Sequence, residues 1–117
     1  MTPAPIKPSV AVADLEKLDI RVGTIRQVCD VAGSEKLAQL IVSFGDHERS
    51  ILAGLKKERP EPALLAGKQA LFVVNLAPRM MAGLISEGML LDIGYSDRIV
   101  PVLATPEVPV PDGSRAG

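Results

Sequence analysis

The alternation of apolar and polar residues predicts a chain built mainly from short β-strands. Ile20 and Val22 alternate with polar neighbours, but the next large apolar residue, Ile25, has changed parity. An extra residue in a strand resets its inward face, and glycine tolerates the dihedral angles that this requires. We therefore predict a first strand from Asp19, with a bulge or sharp bend at Gly23.

A β-hairpin is predicted next along the chain. The spacing of Leu40 and Val42 indicates a strand over residues 37–44 with its apolar side chains on one face. Turn-forming residues follow at 45–48, and the apolar pattern returns over residues 50–55. This order is typical of two antiparallel strands joined by a short turn.

One internal helix and a central strand come after the hairpin. Within residues 56–66, Pro60 and Pro62 suit the first turn of a short helix, which would end before Gly67. Residues 70–74 form a continuous apolar run that has the length of a strand and is rich in valine. We predict that this run is the central strand of the sheet.

Two further strands complete the pattern, at residues 84–93 and 99–104, and Pro101 places the last one at a sheet edge. Three strands, a helix and two strands is the order of an OB-fold. A small sandwich is the alternative, since strand count alone does not fix closure. We expect a mainly β, five-stranded OB-fold β-barrel with one short helix after the third strand and a C-terminal extension.

The N-terminal residues are expected to lie outside this fold. Residues 1–11 contain three prolines, which lack the N–H that regular structure needs, and we predict a flexible proline-rich lead. Asp14 is expected to cap a one-turn helix at residues 15–18. Residues 12–117 have the length of one domain. The lead has no continuous apolar core, so we expect no signal peptide, no membrane span and a cytoplasmic protein.

Composition argues against several classes of function. Lys and Arg number 13 against 14 Asp and Glu, only 3% of residues are aromatic, and there is no Trp, so neither a general polyanion binder nor a stacking platform for single strands is indicated. One cysteine and one histidine exclude an intrachain disulfide and a Cys/His zinc cluster. Cys29 and His47 lack an orienting partner, and no glycine-rich phosphate loop is present. We expect no catalysis, no metal and no cofactor.

The positive charge is nevertheless concentrated in one part of the chain. From Arg49 to Arg79 there are six basic and two acidic residues, a balance of +4, whereas the remainder carries −5. Such a window can be an RNA-facing surface or an ordinary solvated helix and loop.

A longer motif decides between these interpretations. Residues 75–91 read N-L-A-P-R-M-M-A-G-L-I-S-E-G-M-L-L. They resemble the signature N-L-x-P-R-x-x-x-G-x-x-S-x-G-M-L-L of the tRNA-binding domain family, which occurs as small stand-alone dimers and at the C-terminus of many methionyl-tRNA synthetases. Residues 18–25, 34–37, 65–68 and 108–114, with Gly54, resemble other motifs of the family in the same order.

The resemblance implies an OB-fold homodimer that binds the outer corner of folded tRNA without catalysis. A folded RNA presents phosphates, 2′-hydroxyls and a few exposed bases, so basic and small polar side chains suffice. By the resemblance, Lys36 and Arg79 contact phosphate, Asn75 and Ser86 form hydrogen bonds to sugar or base edges, Met89 makes an apolar contact, and Arg21 and Glu87 are additional nucleic-acid-binding candidates.

Each of these residues also has a purely structural interpretation. Met89 can belong to the core, Glu87 can pair with Arg79 or Arg21, Asn75 can cap a strand end, and Lys36 can be a solvated loop lysine. These alternatives are open at the level of sequence.

One departure from the family pattern affects the expected affinity. Many members carry a basic residue directly after the Pro-Arg pair, where this chain has Met80 and Met81. Losing one or two phosphate contacts predicts weak, roughly micromolar binding per site that depends on avidity of the dimer.

Three functions remain in competition. The first is tRNA binding, with assistance to a methionyl-tRNA synthetase in trans, and the C-terminal extension favours it. The second is a peptide-binding export chaperone, a role associated with a related branch of the family. The third is a domain that docks onto another protein through exposed Met80, Met81 and Leu84.

Overall fold

Short antiparallel strands make up most of the regular structure. The computed structural model describes residues 2–117. In chain order, the elements are α1 (Val12–Glu16), β1 (Ile20–Asp30), β2 (Ala38–Ser43), β3 (Glu48–Ala53), a first 3-10 helix (Pro62–Leu65), β4 (Gln69–Val73), β5 (Arg79–Met81), β6 (Leu84–Ser86), β7 (Met89–Leu90), β8 (Asp92–Ile93), a second 3-10 helix (Tyr95–Asp97) and β9 (Val102–Leu103).

A five-stranded sheet in the order β3-β2-β1-β4-β7 forms the barrel, and β5-β6 and β8-β9 form two small separate pairs. The long strand β1 pairs with β4 through Ile20–Thr24 and with β2 through Thr24–Asp30, so it is shared by both halves of the sheet. Ile25 of β1, Leu40 of β2 and Phe72 of β4 are fully buried in the main hydrophobic core of the barrel. The predicted mainly β OB-fold is confirmed, but the central strand is β1, and the apolar run at 70–74 corresponds to its neighbour β4.

The barrel is nearly closed where β3 meets the segment that joins β6 to β7. The Glu87 N–H donates to the Ser50 carbonyl at 2.8 Å, and the Ser50 N–H donates to the Glu87 carboxylate at 2.9 Å. The Leu52 N–H donates to the hydroxyl of Ser86 at 3.0 Å. Side-chain oxygens therefore supply acceptors where the regular ladder stops.

The irregularity in β1 lies further along the strand than predicted. The register with β2 shifts between Ile25 and Gln27, so the bulge is not at Gly23. Gly23 serves a different purpose: a Cβ there would lie 2.5 Å from Val42 Cγ1 and 2.8 Å from Phe44 Cε1. The parity of apolar residues showed that the strand is irregular, but it could not separate a bulge from a close approach.

The helices also differ from the prediction. The internal helix is only the four-residue 3-10 helix at Pro62–Leu65, which begins with proline and buries Leu65. The one α-helix of the described chain precedes the barrel, and it starts at Val12 rather than at Leu15. Asp14 lies in its first turn and pairs with Lys17 at 3.1 Å, so it does not act as the N-cap.

The strand predicted at 84–93 is divided into β6, β7 and β8. The division occurs beside Gly88, where a Cβ would lie 2.9 Å from the Val73 carbonyl oxygen and 3.2 Å from Ile51 Cδ1. The closing strand passes too close to its neighbours for a side chain at this position. The predicted strand at 99–104 is limited to β9, which begins after Pro101.

The C-terminal residues are attached to the free side of β1. The Val22 N–H donates to the Ser114 carbonyl at 2.9 Å, the Gly113 N–H donates to the Val22 carbonyl at 2.7 Å, and the Ala116 N–H donates to the Ile20 carbonyl at 2.8 Å. The Thr24 hydroxyl is bonded to the Asp112 carboxylate at 2.6 Å. Residues 112–116 thus extend the barrel sheet alongside β1.

We predict that Gly23→Ala lowers the free energy of unfolding by about 1–3 kcal/mol, because the new methyl group overlaps Val42 and Phe44. Gly54→Ala is the matched control, since a Cβ at Gly54 meets nothing within 4 Å. Urea unfolding of both variants measures the difference. Equal stability of the two would contradict the packing argument.

We also predict that Ser86→Ala destabilises the barrel by about 1–3 kcal/mol, because it leaves the Leu52 N–H without its acceptor in a buried position. Ser96→Ala, at an exposed position, should change stability by less than about 0.5 kcal/mol. Thermal unfolding followed by circular dichroism compares them, and an unchanged melting temperature for Ser86→Ala would show that this bond does not hold the closure.

Candidate nucleic-acid interface

Two loops of the barrel pack together through a small hydrophobic cluster that is separate from the main core, here called the second cluster. Val31 and Leu37, at the ends of the loop between β1 and β2, are buried against Leu52 of β3. Met81 and Leu84, from the hairpin β5-β6, pack onto the same cluster. In OB-folds, the loop between the first two barrel strands and the loop between the last two flank the ligand-binding face. Apolar contacts thus fix the relative position of the two elements that this fold uses for binding.

A groove of about 640 Å³ opens where these loops meet. Its floor includes Leu52, Met81 and Leu90. Lys36 and Met89, both predicted from the family resemblance, line it, and Met89 is 47% exposed. The structure therefore brings a cation of the first loop and an apolar side chain of β7 to one cavity, although they are 53 positions apart in the sequence.

Lys36 is exposed on a loop that has its own internal support. The Leu37 N–H donates to the Ser34 hydroxyl at 3.0 Å. Lys56, which follows β3 in the chain, donates to the carbonyls of Val31 at 3.0 Å and Ser34 at 2.8 Å. It also forms an ion pair with Asp30. Lys36 itself has no ion pair within residues 2–117. It is a solvated cation on an ordered loop.

Arg79 is presented at the start of the hairpin β5-β6. It is exposed, it lies opposite Ser86 in the register, and it forms no ion pair with any described residue. Ala82 and Gly83, with φ of 50° and 82°, form the two-residue turn, which fits a type I′ hairpin. The short hairpin therefore presents this guanidinium to solvent without neutralising it, beside the Met81 that lines the groove.

The two faces of this hairpin differ. Met81 and Leu84 face the second cluster, whereas Met80 is 66% and Ile85 is 53% exposed. Met80 and Ile85 are cross-strand partners. Of the three residues that the sequence offered as an exposed docking patch, only Met80 is strongly exposed, because alternation along the hairpin directs the other two inward.

Ser86 and Glu87 are committed to closing the barrel. The Ser86 side chain is buried, accepts from the Leu52 N–H and donates to the Gly88 carbonyl at 3.1 Å. The Glu87 carboxylate receives the Ser50 N–H, and no arginine within the described chain lies at ion-pair distance from it. Both residues therefore attach the end of the hairpin β5-β6 to β3.

Asn75 and Arg21 meet at a different place, around Asp19. The Asn75 side-chain oxygen accepts from the Asp19 N–H at 2.8 Å, and its amide donates to the Lys17 carbonyl at 2.7 Å, so it ties α1 to the end of β4. Arg21 holds the Asp19 carboxylate in a two-pronged pair at 2.9 and 3.2 Å. This hydrogen bonding lowers the pKa of Asp19 and raises the pKa of Arg21.

The basic window from Arg49 to Arg79 is not a single phosphate surface. Arg49 donates to the carbonyls of Val74 at 2.7 Å and Glu87 at 3.1 Å. Arg59 pairs with half-buried Glu58, whose pKa burial raises, and Lys56 supports the first loop. Three of the six cations thus satisfy groups inside the fold. A count of charges cannot distinguish a cation that binds backbone carbonyls from one that is free for a ligand.

Three cationic or aromatic residues that line the groove were not among the predicted site residues: Lys57, Tyr95 and Arg98. Tyr95 and Arg98 belong to the turn between β8 and β9, outside the matched motif. The sequence feature that could have pointed to Tyr95 is that it is the only tyrosine of the chain.

Within residues 2–117, no three or more His, Cys, Asp and Glu side chains come together to hold a metal ion. None of the helices in that part of the chain is sufficiently long and apolar to cross a membrane.

Comparison with known proteins identifies the family. The family model described as "Putative tRNA binding domain" matches residues 20–115. A methionine–tRNA ligase of Parabacteroides distasonis is 40% identical over 111 residues, which is 95% of this chain but 16% of the ligase.

Two solved structures show the same fold over nearly the whole chain. A MetRS-related protein from Pyrococcus horikoshii has a TM-score of 0.86 at 33% identity, covering 95% of this chain and 100% of that one. The chaperone CsaA from Bacillus anthracis has a TM-score of 0.82 at 27% identity, covering 94% and 100%. The family match includes β1, both loops of the groove and most of the C-terminal extension, and the chain belongs to the tRNA-binding domain family.

Proposed function

We propose that this protein binds the outer corner of folded tRNA, without catalysis, through the face that carries the loop at 31–37 and the hairpin β5-β6. The observation that carries the proposal is that Lys36 and Arg79, one on each of these elements, are exposed and unpaired among the described residues, while the second cluster holds the two elements together. Rigidly spaced cations suit the fixed phosphates of a folded RNA.

The seven predicted residues divide into two roles. Lys36 and Arg79 contact phosphate oxygens, and Met89 provides an apolar contact inside the groove. Ser86, Glu87, Asn75 and Arg21 act mainly as positioning residues, because their polar groups are already bonded within the fold. Substituting a positioning residue should therefore affect stability at least as much as RNA affinity.

We propose further that the protein is a homodimer in which α1 packs on a second copy. This helix has only five residues and buries none of them, and Val12 and Leu15 are 71% and 59% exposed. Isolated helices of this length are unstable in water, so an exposed apolar helix needs a partner surface. Two RNA sites in one assembly would offset weak binding at each.

We also propose that the protein is cytoplasmic and assists a methionyl-tRNA synthetase in trans. A methionine–tRNA ligase contains a segment 40% identical to this chain. A separate domain of this kind would supply tRNA affinity to a synthetase in trans.

A second candidate is binding of an unfolded apolar peptide. The likeness to the chaperone CsaA and the apolar floor of the groove favour it. Competition between labelled tRNA and such a peptide for the protein separates the two candidates.

We predict that Lys36→Ala and Arg79→Ala each weaken tRNA binding by about 1 kcal/mol and reduce the slope of log affinity against log salt by about 0.7 to 0.9, because each removes one phosphate contact. Lys68→Ala is the matched control, since Lys68 is exposed but lies outside both loops and the groove. Filter binding at several salt concentrations measures the slopes. Absence of wild-type binding at low salt, or binding without salt dependence, would refute tRNA binding.

We predict that Leu15→Asp converts the protein to a monomer, because it places a charge in the apolar contact between copies. Glu16→Lys, on the same helix, changes charge without removing apolar surface and should leave the dimer intact. Light scattering at micromolar concentration reports the mass of each. A monomeric wild-type protein would contradict the dimer.

A further inference from the structure

The one exposed tyrosine or phenylalanine ring of the described chain lies on the rim of the groove. Phe44 and Phe72 are buried in the core, whereas Tyr95 is 71% exposed, and its hydroxyl has no hydrogen-bond partner among residues 2–117. Few aromatic residues are present, but the only exposed tyrosine or phenylalanine ring of the described chain borders the groove of about 640 Å³.

The backbone holds this ring on a tight turn. Tyr95–Asp97 forms a 3-10 helix between Gly94, at φ 103°, and Arg98, at φ 59°. The N–H groups of Asp97 and Ile99 both donate to the Gly94 carbonyl, at 3.0 and 3.3 Å. A Cβ at Gly94 would overlap the Ile99 side chain, so the turn is packed as well as hydrogen bonded. The ring stands on a preorganised support, which lowers the entropic cost of a stacking contact.

The charges around the ring suit a phosphodiester. Lys36, Lys57 and Arg98 line the groove together with the carboxylates Glu58 and Asp92. Glu58 is paired with Arg59 at 3.1 Å, which leaves the groove with an excess of positive charge. Lys57 Nζ lies 3.7 Å from Glu35 Oε2. Because this ion pair is long and exposed, a phosphate oxygen can take the place of the Glu35 carboxylate.

We propose that the groove accepts one unstacked nucleotide of the bound RNA, whose base stacks on Tyr95 while Arg98 contacts the adjoining phosphate. This inference rests on the proposed tRNA binding and specifies what the groove recognises. The cavity volume of about 640 Å³ falls within the range of small-ligand sites, about 300–1,000 Å³. Loop bases that are free of pairing stack on aromatic rings in sequence-tolerant RNA recognition.

A nucleotide fits the groove better than an apolar peptide. An extended apolar segment could use the floor at Met81 and Leu90, but it gains nothing from three cations on the rim. A nucleotide uses both features, because a base has an apolar face and the phosphate is anionic.

The test uses the single tyrosine as a reporter. Incorporation of 3-fluorotyrosine places one fluorine in the full-length protein, at Tyr95. Addition of tRNA should shift this resonance upfield through ring-current shielding by the stacked base. A blunt RNA duplex of similar length offers the same phosphates without unstacked bases, and it should leave the resonance unchanged.

Binding measurements complete the test. Tyr95→Ala should weaken tRNA binding at least about fivefold with an unchanged salt slope, because stacking is not ionic. Tyr95→Phe should retain wild-type affinity, and Arg98→Ala should lower the salt slope by about 0.7 to 0.9.

The possible failures are distinguishable. If wild-type protein does not bind tRNA at low salt, the proposed function fails, and the nucleotide site fails with it. If tRNA binds but neither the fluorine resonance nor the affinity of Tyr95→Ala changes, the nucleotide site alone is overturned. A resonance that responds to an unfolded apolar peptide and not to tRNA would assign the groove to peptide.

Discussion

Closure of the barrel between β3 and the Ser86-Glu87 segment is the constraint on which the rest of the structure depends. Here the regular ladder ends, and two side-chain oxygens complete it by accepting the N–H groups of Ser50 and Leu52. Arg49 joins the same region by donating to the carbonyls of Val74 and Glu87. An unsatisfied buried N–H costs more than a typical hydrogen bond contributes, so these acceptors are needed for the closure to form.

The binding face follows from this closure. The hairpin β5-β6 ends at Ser86, and its inward residues pack on the second cluster with the loop at 31–37. Fixing Ser86 therefore fixes the position of Arg79 relative to Lys36. Residues of one motif therefore have two different roles. Ser86 and Glu87 form hydrogen bonds that close the barrel, whereas Arg79 forms no ion pair within the described chain and is available to a ligand.

The distribution of charge shows the same division of labour. Arg49, Lys56 and Arg59 bind internal carbonyls or a half-buried carboxylate, and they stabilise loops that would otherwise contain unpaired acceptors. Among the cations without an ion pair in the described chain, Lys36 and Arg98 line the groove, and Arg79 lies on the neighbouring hairpin. A protein with a net charge of −1 can therefore present a local positive surface to a polyanion.

The sequence by itself determined the order of the main strands along the chain, the β2-β3 hairpin and the family, because period-two alternation, turn residues and ordered motifs are local properties of the chain. It also indicated that β1 is irregular and that Lys36, Arg79 and Met89 are candidates for contact. Only the tertiary structure decided that β1 is central, that its bulge lies between Ile25 and Gln27, and that Asn75 and Ser86 are bonded internally. It also brought Tyr95 and Arg98 to the groove. These features depend on which distant segments meet, and a pattern along the chain does not contain that information.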